Sequence, residues 1–149
     1  MNILREINKV LAAFGNMRAM ERTHVDTFTE GLIEDIDGDK IAESTDGQIY
    51  VSFQDLAAYE FLNISILSRN NIKTFKGGDL LFINSDNQEF VIESDTKEIE
   101  SDYSNISNRW LTKVSFIITK NEKEMIVNRK FEKLYFKHKS KSLLVYQIK

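Results

Sequence analysis

The chain has 149 residues with neither cysteine nor proline, and its 20 basic and 23 acidic side chains leave a formal net charge of −3. This length fits one domain around one hydrophobic core, and the mixed apolar and charged composition excludes wholesale disorder. Without cysteine there are no disulfides, thiolate nucleophiles, iron–sulfur clusters or cysteine zinc sites.

Arg5, Glu6 and Lys9 interrupt the first apolar stretch, so no secretory leader is expected. No run approaches the roughly 20 apolar residues of a membrane-spanning helix. The expectation is a cytoplasmic single domain, residues 1–149, with a helical segment over 1–22 and a β-rich body over 27–149. With proline absent, Gly, Asn, Asp and Ser must make the turns.

The helical segment rests on Ile3, Leu4, Ile7, Val10, Leu11 and Phe14, which recur at three- and four-residue spacing and form one apolar stripe. Asn2 suits the N-cap and Gly15 the position past the helix end, although Met17 and Met20 would extend the stripe. From Thr27 the period shortens. Phe28, Leu32 and Ile36 read as a first strand, Asp37-Gly38 as a turn, and Lys40 to Ser44 as the return. Asp46-Gly47 then leads into Gln48 to Phe53, completing a meander.

Ser52-Phe53-Gln54-Asp55 resembles a capping box, so Phe53 to Leu62 reads either as a short helix or as a buried strand. Asn63 to Ser68, Ile72 to Phe75, Asp79 to Asn84 and Glu89 to Ser94 read as strands separated by polar or glycine pairs. Lys97 to Tyr103 alternates strictly, and Arg109 to Ile118 places Thr112, Val114, Phe116 and Ile118 on one side. Thr119 to Glu122 is a full capping-box match before Met125 and Ile126. Glu132 to His138 and Leu143 to Ile148 form a last hairpin, whose second strand is apolar on both sides, as a central strand would be. Runs of strands predict an α+β, mostly β fold: an antiparallel β-barrel or sandwich-like sheet with an N-terminal amphipathic helix and one or two short helices.

Charge is uneven along the chain. Residues 21–108 hold 6 basic and 19 acidic side chains (6 − 19 = −13), and residues 109–149 hold 11 basic and 3 acidic (11 − 3 = +8). Lys133, Tyr135, Lys137 and Lys139 share one strand face, with Lys141 in the following turn, which makes them candidates for contact with an anion or a partner. The same residues equally describe a solvated face that discourages edge aggregation. The acidic remainder weighs against nucleic acid. Arg109 and Trp110 are candidate partner anchors if exposed, because both types are enriched at binding hot spots; otherwise Trp110 belongs to the core.

Chemistry-bearing motifs are weak. Asp35, Asp37 and Asp39 have the spacing of a calcium loop, but Lys40 stands where its glycine belongs and Asp46 replaces its last glutamate, so a hairpin turn is the simpler reading. Glu93, Asp95, Glu98, Glu100 and Asp102 would serve acid–base work only if they converged in a cleft. His24, with Asp26 nearby, and His138 lie far apart in sequence, and neither a Gly-x-Ser-x-Gly elbow nor His-Glu-x-x-His occurs. Lys76-Gly77-Gly78-Asp79 would form a small anion nest or a turn needing positive φ. No motif calls for a cofactor. The reading is therefore a non-catalytic binding or interaction domain, partnered by itself as a homodimer or by another protein. A carrier with a β-enclosed cavity for a small apolar ligand is the alternative, and a carboxylate-dependent hydrolase comes third.

Overall fold

A computed structural model describes residues 29–148. The expected N-terminal helix, its cap Asn2, and His24 lie outside the described residues. Strands dominate the rest: β1 (Asp39–Ser44), β2 (Gly47–Leu56), β3 (Tyr59–Ser68), β4 (Lys73–Thr74), β5 (Asp79–Ile83), β6 (Glu89–Glu93), β7 (Ile99–Glu100), β8 (Asp102–Ser104), β9 (Arg109–Ile118), β10 (Lys133–His138) and β11 (Lys141–Gln147). Helix α1 (Lys120–Val127) separates β9 from β10.

Nine of these strands form one antiparallel sheet in the order β6-β5-β10-β11-β1-β2-β3-β9-β8, while β4 and β7 pair separately. β11 sits between β10 and β1, the central place its two-sided apolar sequence requires. The sheet curls without closing as a barrel. Near its ends the Asp95 and Thr96 amides donate to the Ser115 carbonyl at 2.8 and 3.3 Å, and the Ser115 amide donates to Thr96 Oγ1 at 3.0 Å. Beyond these bonds no β6–β9 ladder forms.

Alternation decides which residues the curl encloses. Ile49 and Val51 of β2, Leu62, Ile64 and Ile66 of β3, and Val114, Phe116 and Ile118 of β9 meet Leu80, Phe82, Leu134, Phe136 and Val145 in one cluster. Phe82 packs edge-on against Phe131, with centroids 5.2 Å apart. Ile41 and Ala42 are both buried because a bulge between Lys40 and Ala42 shifts the β1–β2 register. The capping box before α1 is complete: Thr119 Oγ1 accepts from the Glu122 amide at 3.1 Å, and Glu122 Oε1 accepts from the Thr119 amide at 2.8 Å.

Three expectations are corrected. Residues 29–34 are helical, not a first meander strand, so the meander is β1–β2–β3. Phe53 to Leu62 forms no helix; it contains the end of β2, a turn with Ala57 at φ 56°, and the start of β3. Ten consecutive cross-strand pairs from Gly47↔Ser68 to Leu56↔Tyr59 satisfy its backbone instead. Lys97 to Tyr103 breaks into β7 and β8, which join different sheets, yet Ile99 and Ser101 are buried and Glu98, Glu100 and Asp102 exposed, as the alternation implies.

Candidate functional site

On β10 the period of two sends Leu134, Phe136 and His138 inward and Lys133, Tyr135 and Lys137 outward. Lys139 lies in the turn with φ 53°, off the strand, and Lys141 opens β11. The register with the neighbouring strands builds rows across the outer face. Tyr135 pairs with Leu81 on one side and Leu144 on the other, and Leu81 pairs with Val91. Val91–Leu81–Tyr135–Leu144 is therefore an apolar row across four strands. Val91 is 57% exposed, whereas Leu81, at 7%, is covered by its neighbours.

The flanking rows mix charges. Lys137 lies between Asp79 and Ser142, with Glu93 beyond Asp79. Lys133 lies between Ile83 and Tyr146, with Glu89 beyond Ile83 and Glu43 beyond Tyr146. Lys137 Nζ also stands 5.6 Å from the Tyr135 ring centroid. The lysines thus alternate with carboxylates and apolar groups and do not form a continuous basic field.

Arg109 and Trp110 are adjacent in β9 and so face opposite sides of the sheet. Arg109 is exposed. Trp110 is half-buried against Tyr103, with centroids 4.7 Å apart, and Tyr103 donates its hydroxyl to Asn108 Oδ1 at 2.9 Å. A joint anchor on one surface does not form.

Asp35, Asp37 and Asp39 are exposed, and among the described residues no group of three or more His, Cys, Asp or Glu side chains is placed to hold a metal ion. Gly38 has φ 96°, and a Cβ there would stand 2.0 Å from the Val51 carbonyl oxygen, so the Asp-Gly pair serves the turn into β1. Asp35 and Asp37 border an open groove of about 350 Å³ with Ser52, Asn63, Lys113 and Ser115. Glu93, Asp95, Glu98, Glu100 and Asp102 are all exposed.

The glycine nest is already occupied by the protein. The Gly77 amide donates to the Lys97 carbonyl at 2.8 Å and the Gly78 amide to Ser94 Oγ at 3.0 Å. A Cβ at Gly78 would stand 2.5 Å from the Phe136 ring, so close packing requires the glycine.

His138 is buried at 8% exposure and stacks on Phe136 at 5.8 Å, and among the described residues its Nδ1 has no hydrogen-bond partner. Burial holds its pKa below the ordinary value, reinforced by Lys141 and Lys139. It borders an open groove of about 510 Å³ with Ser68, Asn70, Ile72 and Lys141. Among the described residues no carboxylate reaches its Nδ1.

The outer apolar row escaped sequence reasoning because its members come from four strands whose adjacency the sequence does not state. The local signals were apolar runs longer than a one-sided strand needs, Leu80 to Ile83, Phe90 to Ile92 and Leu143 to Tyr146. No helix among the described residues is long and apolar enough to cross a membrane. No protein-family model, curated protein or solved structure matches the chain.

Proposed function

We propose that this protein is a non-catalytic interaction domain whose outer sheet face, over β6, β5, β10 and β11, receives a partner protein. The observation that carries the reading is the Val91–Leu81–Tyr135–Leu144 row, in which Val91 is exposed and Tyr135 and Leu144 are half-buried, bracketed by charged rows. An apolar centre with a polar rim is the composition of a protein-binding surface. The dispersed, exposed carboxylates and the unoriented His138 support binding over hydrolysis. Phe82, Phe116 and Phe136, each fully buried in the curl, support a filled interior over carriage of an apolar ligand.

The test selects a random displayed-peptide library on immobilised full-length protein. It then counter-screens against a Val91→Asp/Tyr135→Asp double variant whose unfolding transition matches the parent. A peptide class enriched on the parent and lost on the variant is expected. No enrichment, or classes indifferent to both substitutions, would sink the reading.

A further inference from the structure

From the free edge of β6, we infer that the partner is an extended segment adding as a strand to Glu89–Glu93, with basic residues flanking an apolar one; the inference rests on the interaction-domain reading above. Among the described residues β6 ends the sheet and pairs only with β5. The Ser94 amide donates to Gly78 O at 2.9 Å and the Asn84 amide to Gln88 O at 3.1 Å. These bonds fix the alternation of the antiparallel ladder, in which Phe90 and Ile92 direct their backbone groups to β5. Glu89, Val91 and Glu93 therefore direct theirs to the open edge.

The facing bank is β9. Ser115 turns its amide and carbonyl toward Thr96 and Asp95, so Ile117, two residues on, turns its own the same way. The two strands meet at Ser115 and share no ladder, and Ile117 of β9, which is 42% exposed, lies on the same outer face as Val91. Phe90, 44% exposed, borders an open groove of about 290 Å³ with Met125, Asn121, Glu122 and Lys130 of α1 and its following turn. Strand addition uses these two features together: edge backbone groups supply hydrogen bonds, and a groove takes alternate side chains.

Charge selects the occupant. Glu89, Val91 and Glu93 project to one face, so an incoming antiparallel strand is complementary with Lys or Arg opposite each glutamate and an apolar residue opposite Val91. A second copy is disfavoured, because two β6 strands paired antiparallel about Val91 place Glu89 opposite Glu93 at both ends. Like charges directly opposite destabilise a strand pair, and charged edges are a known guard against self-association.

Peptides enriched on the full-length protein are added to the uniformly labelled chain, and amide exchange is followed residue by residue. The expected class alternates basic and apolar residues, and slows exchange at Glu89, Val91 and Glu93 at least tenfold. Val91→Pro removes an edge donor while leaving the β5 ladder intact and is expected to weaken binding at least tenfold. If that variant fails to fold, the Glu89→Lys/Glu93→Lys variant carries the test by shifting selection toward acid-flanked peptides. Enriched peptides that leave these amides exchanging freely overturn strand addition but not the interaction domain. Absence of any enriched class overturns both. Concentration-dependent protection of these amides without peptide assigns the edge to a second copy and overturns the partner segment.

Discussion

The Asp95 amide donates to the Ser115 carbonyl at 2.8 Å, joining the segment after β6 to β9 across the opening of the curled sheet. The Thr96 hydroxyl holds the same junction by accepting from the Ser115 amide at 3.0 Å. Thr96→Val keeps the side-chain shape and removes that acceptor. It is expected to lower stability by about 1 kcal/mol, the usual size of one lost hydrogen bond. Denaturant titration measures the loss, and faster exchange of the Ser115 amide localises it. Unchanged exchange at Ser115 would show that the junction does not hold the opening.

Helix α1 depends on its cap. Thr119→Ala leaves the Glu122 amide without its side-chain acceptor and is expected to cost about 1 kcal/mol. Thr119→Ser retains the hydroxyl and should restore most of the loss. An alanine variant as stable as the parent would mean that packing of Ile126, not capping, sustains the helix.

The interior predicts a large effect at Phe136, fully buried and in contact range of the space above Gly78. Phe136→Ala is expected to destabilise by about 3–5 kcal/mol, the range for deleting a buried aromatic ring. Gly78→Ala inserts a methyl into the same contact and should destabilise by about 1–3 kcal/mol, as overpacking does. Both are read from the denaturation midpoint at constant slope. If Gly78→Ala matches the parent, the ring is free to give way.

Acid sensitivity should pass through His138. Its folded-state pKa is lowered by burial and then by Lys141 and Lys139, so the unfolded chain binds the proton more readily than the folded one. Its favourable contribution is fully present above the unfolded value of about 6.5 and is lost as pH falls through the lowered folded value. A His138→Gln variant removes this dependence. Compared with the parent, its stability curve should be flatter below neutrality, with the difference between the two proteins changing across that window. Parallel curves from neutral to acid pH would rule the titration out.

Much of the fold is legible in the residues. The β9 limits, with Thr112, Val114, Phe116 and Ile118 buried along one side, follow from strict alternation. The Thr119–Glu122 box announces α1, because capping chemistry acts over three residues and needs no tertiary help. The central place of β11 is written in its two apolar faces. Local patterns failed where one signal served two structures. Ser52 to Asp55 looks like a cap, but the ten-pair ladder between β2 and β3 satisfies more backbone than a short helix would. At residues 29–34, the spacing of Phe28, Leu32 and Ile36 by four fits a helical turn as readily as a loosely drawn strand.

The sequence by itself determined which face of each strand is apolar and where the chain turns, because side-chain alternation and turn chemistry act over a few residues. Tertiary structure alone decided what those faces become together. β5 and β10 are separated by some fifty residues of chain, yet their pairing puts Leu81 beside Tyr135 and places Asp79 beside Lys137. The lysine face is thereby interleaved with acid, and the apolar row is assembled. The same pairing leaves β6 as the outer strand among the described residues, with the backbone groups of Glu89, Val91 and Glu93 turned away from β5. Neighbours across a sheet are set by long-range hydrogen bonding, for which no residue carries a local mark.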